Sequence, residues 1–230
     1  MMDKDKPSRR ERNKERNKRE ILEAAMHEFS ERGFHDTSIQ DIAARAEFAV
    51  GTIYALYDTK EDLYRALLLQ HAQEATAKFT EALEHGEDEH AQLWNYVQAK
   101  GRLFEHKMKL ARLIFTETLG TGISFKAGPN PELKSMYDTW HRRLAQIFAA
   151  GMEHGVFRKA NPLSLALALE GMTNQFLYQS QEDPEGFTYD MALEMIRDVF
   201  FRSIVLDPSA IGGGTDPLAT RRHSGSPKRG

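Results

Sequence analysis

The sequence contains no cysteine, which excludes disulfides and thiolate metal sites and fits a reducing, cytoplasmic compartment. It also lacks any long hydrophobic run. The longest, around Leu163 to Leu169, falls far short of the roughly 20 residues that a membrane helix needs, and the polar N-terminus carries no secretory signal. No stretch alternates apolar and polar residues at period two between turn signals, and no internal repeat appears, so the expected class is all-α. Excess positive charge is missing too. The formal net charge is −3, and residues 1–64 hold 12 Lys or Arg against 14 Asp or Glu, which argues against a non-specific nucleic-acid coat.

The residue patterns of catalysis are equally scarce. The nine histidines form no His-x-x-x-His pair, so a catalytic zinc is not expected. Gly120-Thr121-Gly122 lacks the preceding strand and third glycine of a dinucleotide fingerprint, and Gly212-Gly213-Gly214-Thr215 lacks the P-loop lysine. Ser124 and Ser164 have no activating context, and Glu117 and Glu170 stand alone. No cofactor, no metal and no enzymatic activity are expected.

What the chain does contain is concentrated between Thr37 and Leu67. Thr37 and Gln40 have the spacing of a capping box, so a helix is expected from Ser38, with Ile39, Ile42, Ala43 and Ala46 as its apolar stripe. A turn at Glu47, Phe48 and Ala49 leads to a second short helix. There Ile53 and Tyr57 share one face, and the small or hydroxyl-bearing Gly51, Thr52, Tyr54 and Ala55 share the other. Thr59 and Asp62 repeat the capping spacing, and a long helix is expected from Lys60. Two short helices joined by a tight turn describe a helix-turn-helix, whose second helix lies in the DNA major groove.

This stretch resembles the DNA-binding domain of the TetR family of bacterial transcriptional regulators. The matching residues are Thr37, Ser38, Ile42, Ala43, Ala46, Gly51, Thr52, Ile53, Tyr54, Thr59, Lys60, Glu61 and Leu63. Four positions depart from the family pattern: Glu47 replaces the turn glycine, Phe48 a valine, Ala49 the capping serine, and Leu56 an aromatic or histidine. Strained backbone or a changed turn is expected at Glu47, and the missing cap at Ala49 costs about 1 kcal/mol of local stability. The resemblance implies a DNA-binding set of Thr37, Ser38, Gln40, Arg45, Val50, Gly51, Thr52, Tyr54, Ala55 and Lys60. Thr52, Tyr54 and Lys60 would meet phosphates, and Val50, Gly51 and Ala55 base edges.

Around this core the expected organisation is a flexible basic arm over 1–16, a helix-turn-helix domain over 17–64, a helical effector-binding and dimerisation domain over 65–206, and a disordered tail over 207–230. The arm either tracks phosphates or is a solvated leader. A first helix carries Ile21, Leu22, Ala25 and Phe29 and stops at Gly33, with Phe34 packing back. The long helix from Lys60 to about His85 belongs to both domains. The next breaks near His106 and Lys107, and a short one follows through Leu110, Leu113 and Ile114 to about Leu119. Gly120 to Asn130 reads as a loop. Asn130-Pro131 and Asn161-Pro162 start two further helices, the first ending at Gly155, and a last one passes through Met195, Val199, Phe200 and Ile204. About nine helices are expected in all.

Trp94, Phe104, Phe115, Trp140 and Phe176 lie on or near apolar stripes of the second domain, either as plain core or as the lining of a pocket. The resemblance implies a pocket for a small, apolar or aromatic effector. The expected lining is Trp94, Val97, Gly101, Phe104, Leu113, Thr116, Tyr137, Trp140 and Phe176, with Thr116, Thr173, Asn174 and Gln175 to orient the ligand. It also implies a homodimer through the last two helices, carried by Leu165, Leu169, Met172, Phe176, Met195, Val199 and Phe200. The implied function is a ligand-responsive repressor on double-stranded, palindromic operator DNA; the alternative is an activator or architectural protein on the same scaffold.

Overall fold

The computed structural model describes residues 8–106, 124–125 and 128–207. The fold is all-α. Among the described residues there are α1 (Arg9–Asp36), α2 (Ile39–Ala46), α3 (Val50–Tyr54), α4 (Lys60–Glu84), α5 (Glu89–His106), α6 (Pro131–Glu153) and α7 (Pro162–Glu182). A final helix, α8, runs from Tyr189–Met195 through a π-helical stretch, Ile196–Phe201, to Arg202–Ile204. That makes eight; the short helix expected through Leu110, Leu113 and Ile114 lies outside the described residues. Within the stretch read as a loop, Ser124–Phe125 pairs antiparallel with Gly128–Pro129.

Two apolar clusters organise the chain. The first gathers Ile21, Leu22 and Phe29 of α1, Ile39 and Ile42 of α2, Ile53 of α3 and Leu63, Tyr64 and Leu67 of α4. The second takes Phe79 and Leu83 from the far end of α4, with Leu93, Tyr96, Trp140, Leu144, Phe148, Leu169, Phe200 and Phe201. Each such side chain, fully buried, contributes about 1.5–3 kcal/mol. Because α4 feeds both clusters, it joins the head to the body mechanically as well as covalently.

Three local expectations need correction. The basic arm is helical from Arg9, not flexible to residue 16. The Ser8 hydroxyl accepts from the Glu11 N–H at 3.2 Å, and the Glu11 carboxylate accepts from the Ser8 N–H at 2.6 Å. Lys18–Glu15 (3.0 Å) and Arg16–Glu20 (3.7 Å) add helical ion pairs, so cap and pairing support the helix where burial cannot. Second, the capping box of α2 is Ser38 with Asp41, one residue later than the Thr37–Gln40 spacing suggests. Thr37 is unavailable because its hydroxyl donates to the carbonyls of Gly33 (2.8 Å) and Glu28 (3.1 Å). Third, Glu170 does not stand alone but pairs with Lys100.

Other signals hold. Gly33 has φ 81 where α1 loses regular geometry, and Phe34 packs back on Phe29 and Tyr64 at 5.6 and 4.9 Å between ring centroids. Glu47 does sit in the left-handed region, at φ 58 and ψ 33, a conformation that costs a side-chain-bearing residue about 1–2 kcal/mol. Its N–H satisfies the last carbonyls of α2, at Ala43 and Ala44. Thr59, Asn130 and Asn161 cap α4, α6 and α7.

Candidate nucleic-acid interface and interior site

α3 is anchored by Ile53, which is fully buried, and by Val50, which is half-buried against the same core. Gly51 and Tyr54, and Ala55 just past its end, are exposed, and Thr52 is half-buried. A Cβ built on Gly51 would meet nothing within 4 Å, so the outer face of α3 is bare and can approach another surface closely. Ala49 supplies no side-chain cap, as its chemistry requires.

Helix α2 stands across from it, held by charge. Glu28 of α1, almost wholly buried, pairs with Arg45 and, at 3.3 Å, with Arg32, which also reaches Asp41 at 3.3 Å. The Ser38 hydroxyl, then its N–H, hold the Asp41 carboxyl below its ordinary value. Gln40 is exposed and Ser38 half-buried.

Two residues assigned to DNA face inward. Thr37 is buried with its hydroxyl spent on α1. The Lys60 ammonium donates to the carbonyls of Phe34 (2.8 Å), Thr37 (2.9 Å) and His35 (3.4 Å), and sits 4.5 Å from the Phe34 ring centroid. Lys60 closes the end of α1. A lysine so placed satisfies orphan carbonyls, a role its sequence position alone does not reveal.

In the body, a polar cluster lies inside the apolar core. The Tyr96 hydroxyl donates to the Glu170 carboxylate, and Lys100 donates to the other Glu170 oxygen at 2.9 Å and to the Tyr96 oxygen at 3.2 Å. All three side chains are buried. Trp140 and Phe79 pack on Tyr96, with ring centroids 5.3 and 5.2 Å away. Burial, and then the Glu170 charge, raise the Tyr96 phenol well above its ordinary value and push Tyr137 up to about 12. Both phenols therefore remain protonated donors near neutral pH. One turn along α7, Thr173 is fully buried and its hydroxyl has no hydrogen-bond partner.

Of the predicted ligand residues, Tyr137 and Trp140 join this cluster and the others scatter. Val97 is ordinary core. Trp94 faces α8, 5.8 Å from Phe201 and under the Arg197 guanidinium at 4.7 Å. Phe176 packs on Phe187 at 5.8 Å. A Cβ on Gly101 would lie 2.2 Å from the Tyr189 ring, so Gly101 lets α5 and α8 approach closely. Leu113 and Thr116, and the Phe104 side chain, lie outside the described residues. Tyr96, Lys100 and Glu170 were not anticipated. The signal was available: Lys100 continues the apolar stripe of Leu93 and Val97, and Glu170 that of Ala166 and Leu169, and a charge at a core position asks for a partner.

A separate groove of about 540 Å³ opens between α4 and α5, lined by Lys78, Glu81, His85, Asn95 and Arg102 among others. Its walls mix the charged Lys78, Glu81 and Arg102 with the apolar Ala82, Ala99 and Leu103. On the outside, Leu163 and Leu167 of α7 and Met191, Met195 and Val199 of α8 are exposed at helical i, i+4 spacing, and Gly171 continues the α7 stripe with open space above it. Leu169 and Phe200, expected in this face, are core instead.

Residues 21–67 match the family of bacterial regulatory proteins, tetR family. UidR of Escherichia coli, an HTH-type transcriptional regulator, is 28% identical over 132 residues, covering 57% of this chain. The matched region spans only 62% of UidR's own length. FasR of Mycolicibacterium smegmatis, an HTH-type transcriptional activator, is 31% identical over 96 residues, 42% of this chain and 44% of FasR. A transcriptional regulator from Saccharomonospora viridis, solved in complex with choline, has the same fold, with a TM-score of 0.69 at 23% identity over 84% of this chain and 100% of that one. No helix among the described residues is long and apolar enough to cross a membrane.

Proposed function

Since the chain belongs to the TetR family of transcriptional regulators, we propose that it is a dimeric, ligand-responsive repressor of a palindromic operator, released by a small, largely apolar effector. The observation that carries this reading is the bare outer face of α3 on an apolar core, tied through α4 and through Leu133 of α6 to a buried aromatic and polar interior. Val50, Gly51 and Ala55 come close to base edges, while Thr52 and Tyr54 of α3 and Ser38, Gln40 and Arg45 of α2 hold the backbone. Thr37 and Lys60 serve the fold instead. The exposed stripes of α7 and α8 pair with their symmetry mates, which sets two recognition helices about 34–36 Å or somewhat more apart.

The effector lies against Trp140 and Tyr137, with the Tyr96–Lys100–Glu170 cluster and Thr173 at its polar end. The choline held by the S. viridis relative supports a small-molecule site in this fold, not the identity of the effector here. An effector releases DNA only by binding better to a dimer whose recognition helices are misplaced. A coupling of about 1–3 kcal/mol weakens operator binding about 5- to 150-fold, and operator weakens effector binding by the same factor.

A mobility-shift assay on the promoter nearest the gene, with and without metabolite extract, tests this. A shift that the extract reverses is expected; a shift that no extract changes would leave a DNA-binding protein without small-molecule control. A second reading, activation on the same scaffold, is favoured by the likeness to FasR. In vitro transcription separates the two by the sign of the effect.

A further inference from the structure

The first buried residue of α1 is Ile21, so more than three turns of that helix lie ahead of the core without a buried residue, only Asn17 and Lys18 among them being half-buried. Such a segment would ordinarily fray, yet it opens on the Ser8–Glu11 capping box and carries the Lys18–Glu15 and Arg16–Glu20 pairs. Its charges are sorted by face. At about 100° per residue, Arg9, Arg12, Arg16 and Arg19 fall within about 80° of the helix circumference, on the side away from Ile21, Ala25 and Phe29. All four are exposed, and over residues 9–19 neither Glu11 nor Glu15 enters that sector; Glu20, paired with Arg16, borders it, and Glu23 follows on the same face nearer the core. The stripe is about 15 Å long, the length over which one DNA strand presents roughly four phosphates. Burial, and then the Glu15 charge, raise the Tyr57 phenol above its ordinary value, so the middle of the extension lies beside the residue three positions beyond α3.

We propose that the N-terminal extension of α1 is a rigid basic arm that grips DNA phosphates beside the operator through Arg9, Arg12, Arg16 and Arg19. The inference rests on the DNA-binding reading of α3 and adds a second, sequence-independent contact to it. Arginine suits the task because its fork pairs with phosphate oxygens and keeps its charge at any working pH. Held as a helix before DNA arrives, the stripe loses little conformational freedom on binding. The chain is net negative overall, so a local stripe of one sign also orients the approach of the head to DNA.

The test is fluorescence anisotropy with the full chain and a labelled random-sequence duplex several helical turns long, titrated at a series of salt concentrations. In one variant the four arginines become Gln, which keeps helix propensity; in the other, Arg10, Lys14 and Lys18 become Gln. The stripe variant is expected to bind at least about tenfold more weakly, and its salt slope to flatten by about 0.9 for each phosphate that is no longer neutralised. The flank variant is expected to bind near wild type, and both should melt close to wild type because Gln keeps helix propensity and each variant loses an exposed helical ion pair, worth about 0.3–0.5 kcal/mol. Unchanged affinity and slope in the stripe variant would overturn the proposal, as would a weakening that follows the flank residues instead. So would a wild-type preference for anionic phosphatidylserine vesicles over DNA that the stripe variant abolishes. A wild-type chain that binds no duplex at all would instead strike the DNA-binding reading itself.

Discussion

The head and the body of this chain bury charge in different ways. In the helix-turn-helix head Glu28 is buried, but its partners Arg32 and Arg45 reach it from the solvent side and, with Asp41, tie α1 to α2, while Lys60 closes the end of α1. The body places Tyr96, Lys100, Glu170 and Thr173 inside. A buried ion pair is rarely more stable than an apolar packing of the same volume, so burying one has to be justified by something other than stability.

The largest expected effect breaks that contrast. In a Tyr96→Phe background, which leaves no phenol to orphan, Glu170→Leu leaves the Lys100 ammonium buried without its carboxylate and should cost about 3–5 kcal/mol, whereas Lys100→Met/Glu170→Leu should be near neutral or more stable than that background. Urea denaturation of the four proteins in this cycle measures it. Equal losses in the single and double variants would mean that the pair stabilises the fold outright. Lys60→Met comes next. It removes hydrogen bonds from a charged group to three carbonyls, so about 1.5 kcal/mol should disappear in thermal unfolding, while DNA affinity of the folded protein stays the same. A DNA defect with unchanged melting would return Lys60 to the phosphate-binding set.

Thr173→Val sharpens the comparison from the other side. Removing a buried hydroxyl that has no partner should stabilise the body by about 1 kcal/mol and weaken effector binding, the pattern of a group kept for a ligand. Calorimetric scans and titrations on one preparation read both. The smallest effect belongs to the head: Ala49→Ser supplies the cap that α3 lacks and should add about 0.5–1 kcal/mol of stability.

The head is almost fully legible in the sequence because its determinants are local. Ile39, Ile42 and Ala43 mark a stripe, Gly33 a stop, Glu47 a strained turn, and all can be read within a few residues. The ambiguity there is local too: Thr37 and Ser38 are adjacent hydroxyls that compete for the cap of α2, and only the carbonyls of Glu28 and Gly33 decide between them. In the body the helix starts at Asn130 and Asn161 are clear, but not which faces meet. Lys100 and Glu170 are 70 residues apart, and no window of sequence contains both. Trp94 and Trp140 look alike as aromatic residues on apolar stripes, yet one meets α8 and the other the polar cluster. The outer stripe of Leu163, Leu167, Met195 and Val199 emerges only from the i, i+4 phase of its residues, which a count of apolar side chains does not contain.

The central claim is that the bare face of α3 is the surface that reads DNA, and Gly51 tests it most directly because a Cβ there meets nothing in the protein within 4 Å. Gly51→Glu should melt within error of wild type, yet lose binding to a labelled duplex from its own promoter in an anisotropy titration at low salt. Wild-type affinity in the Gly51→Glu protein would contradict the account.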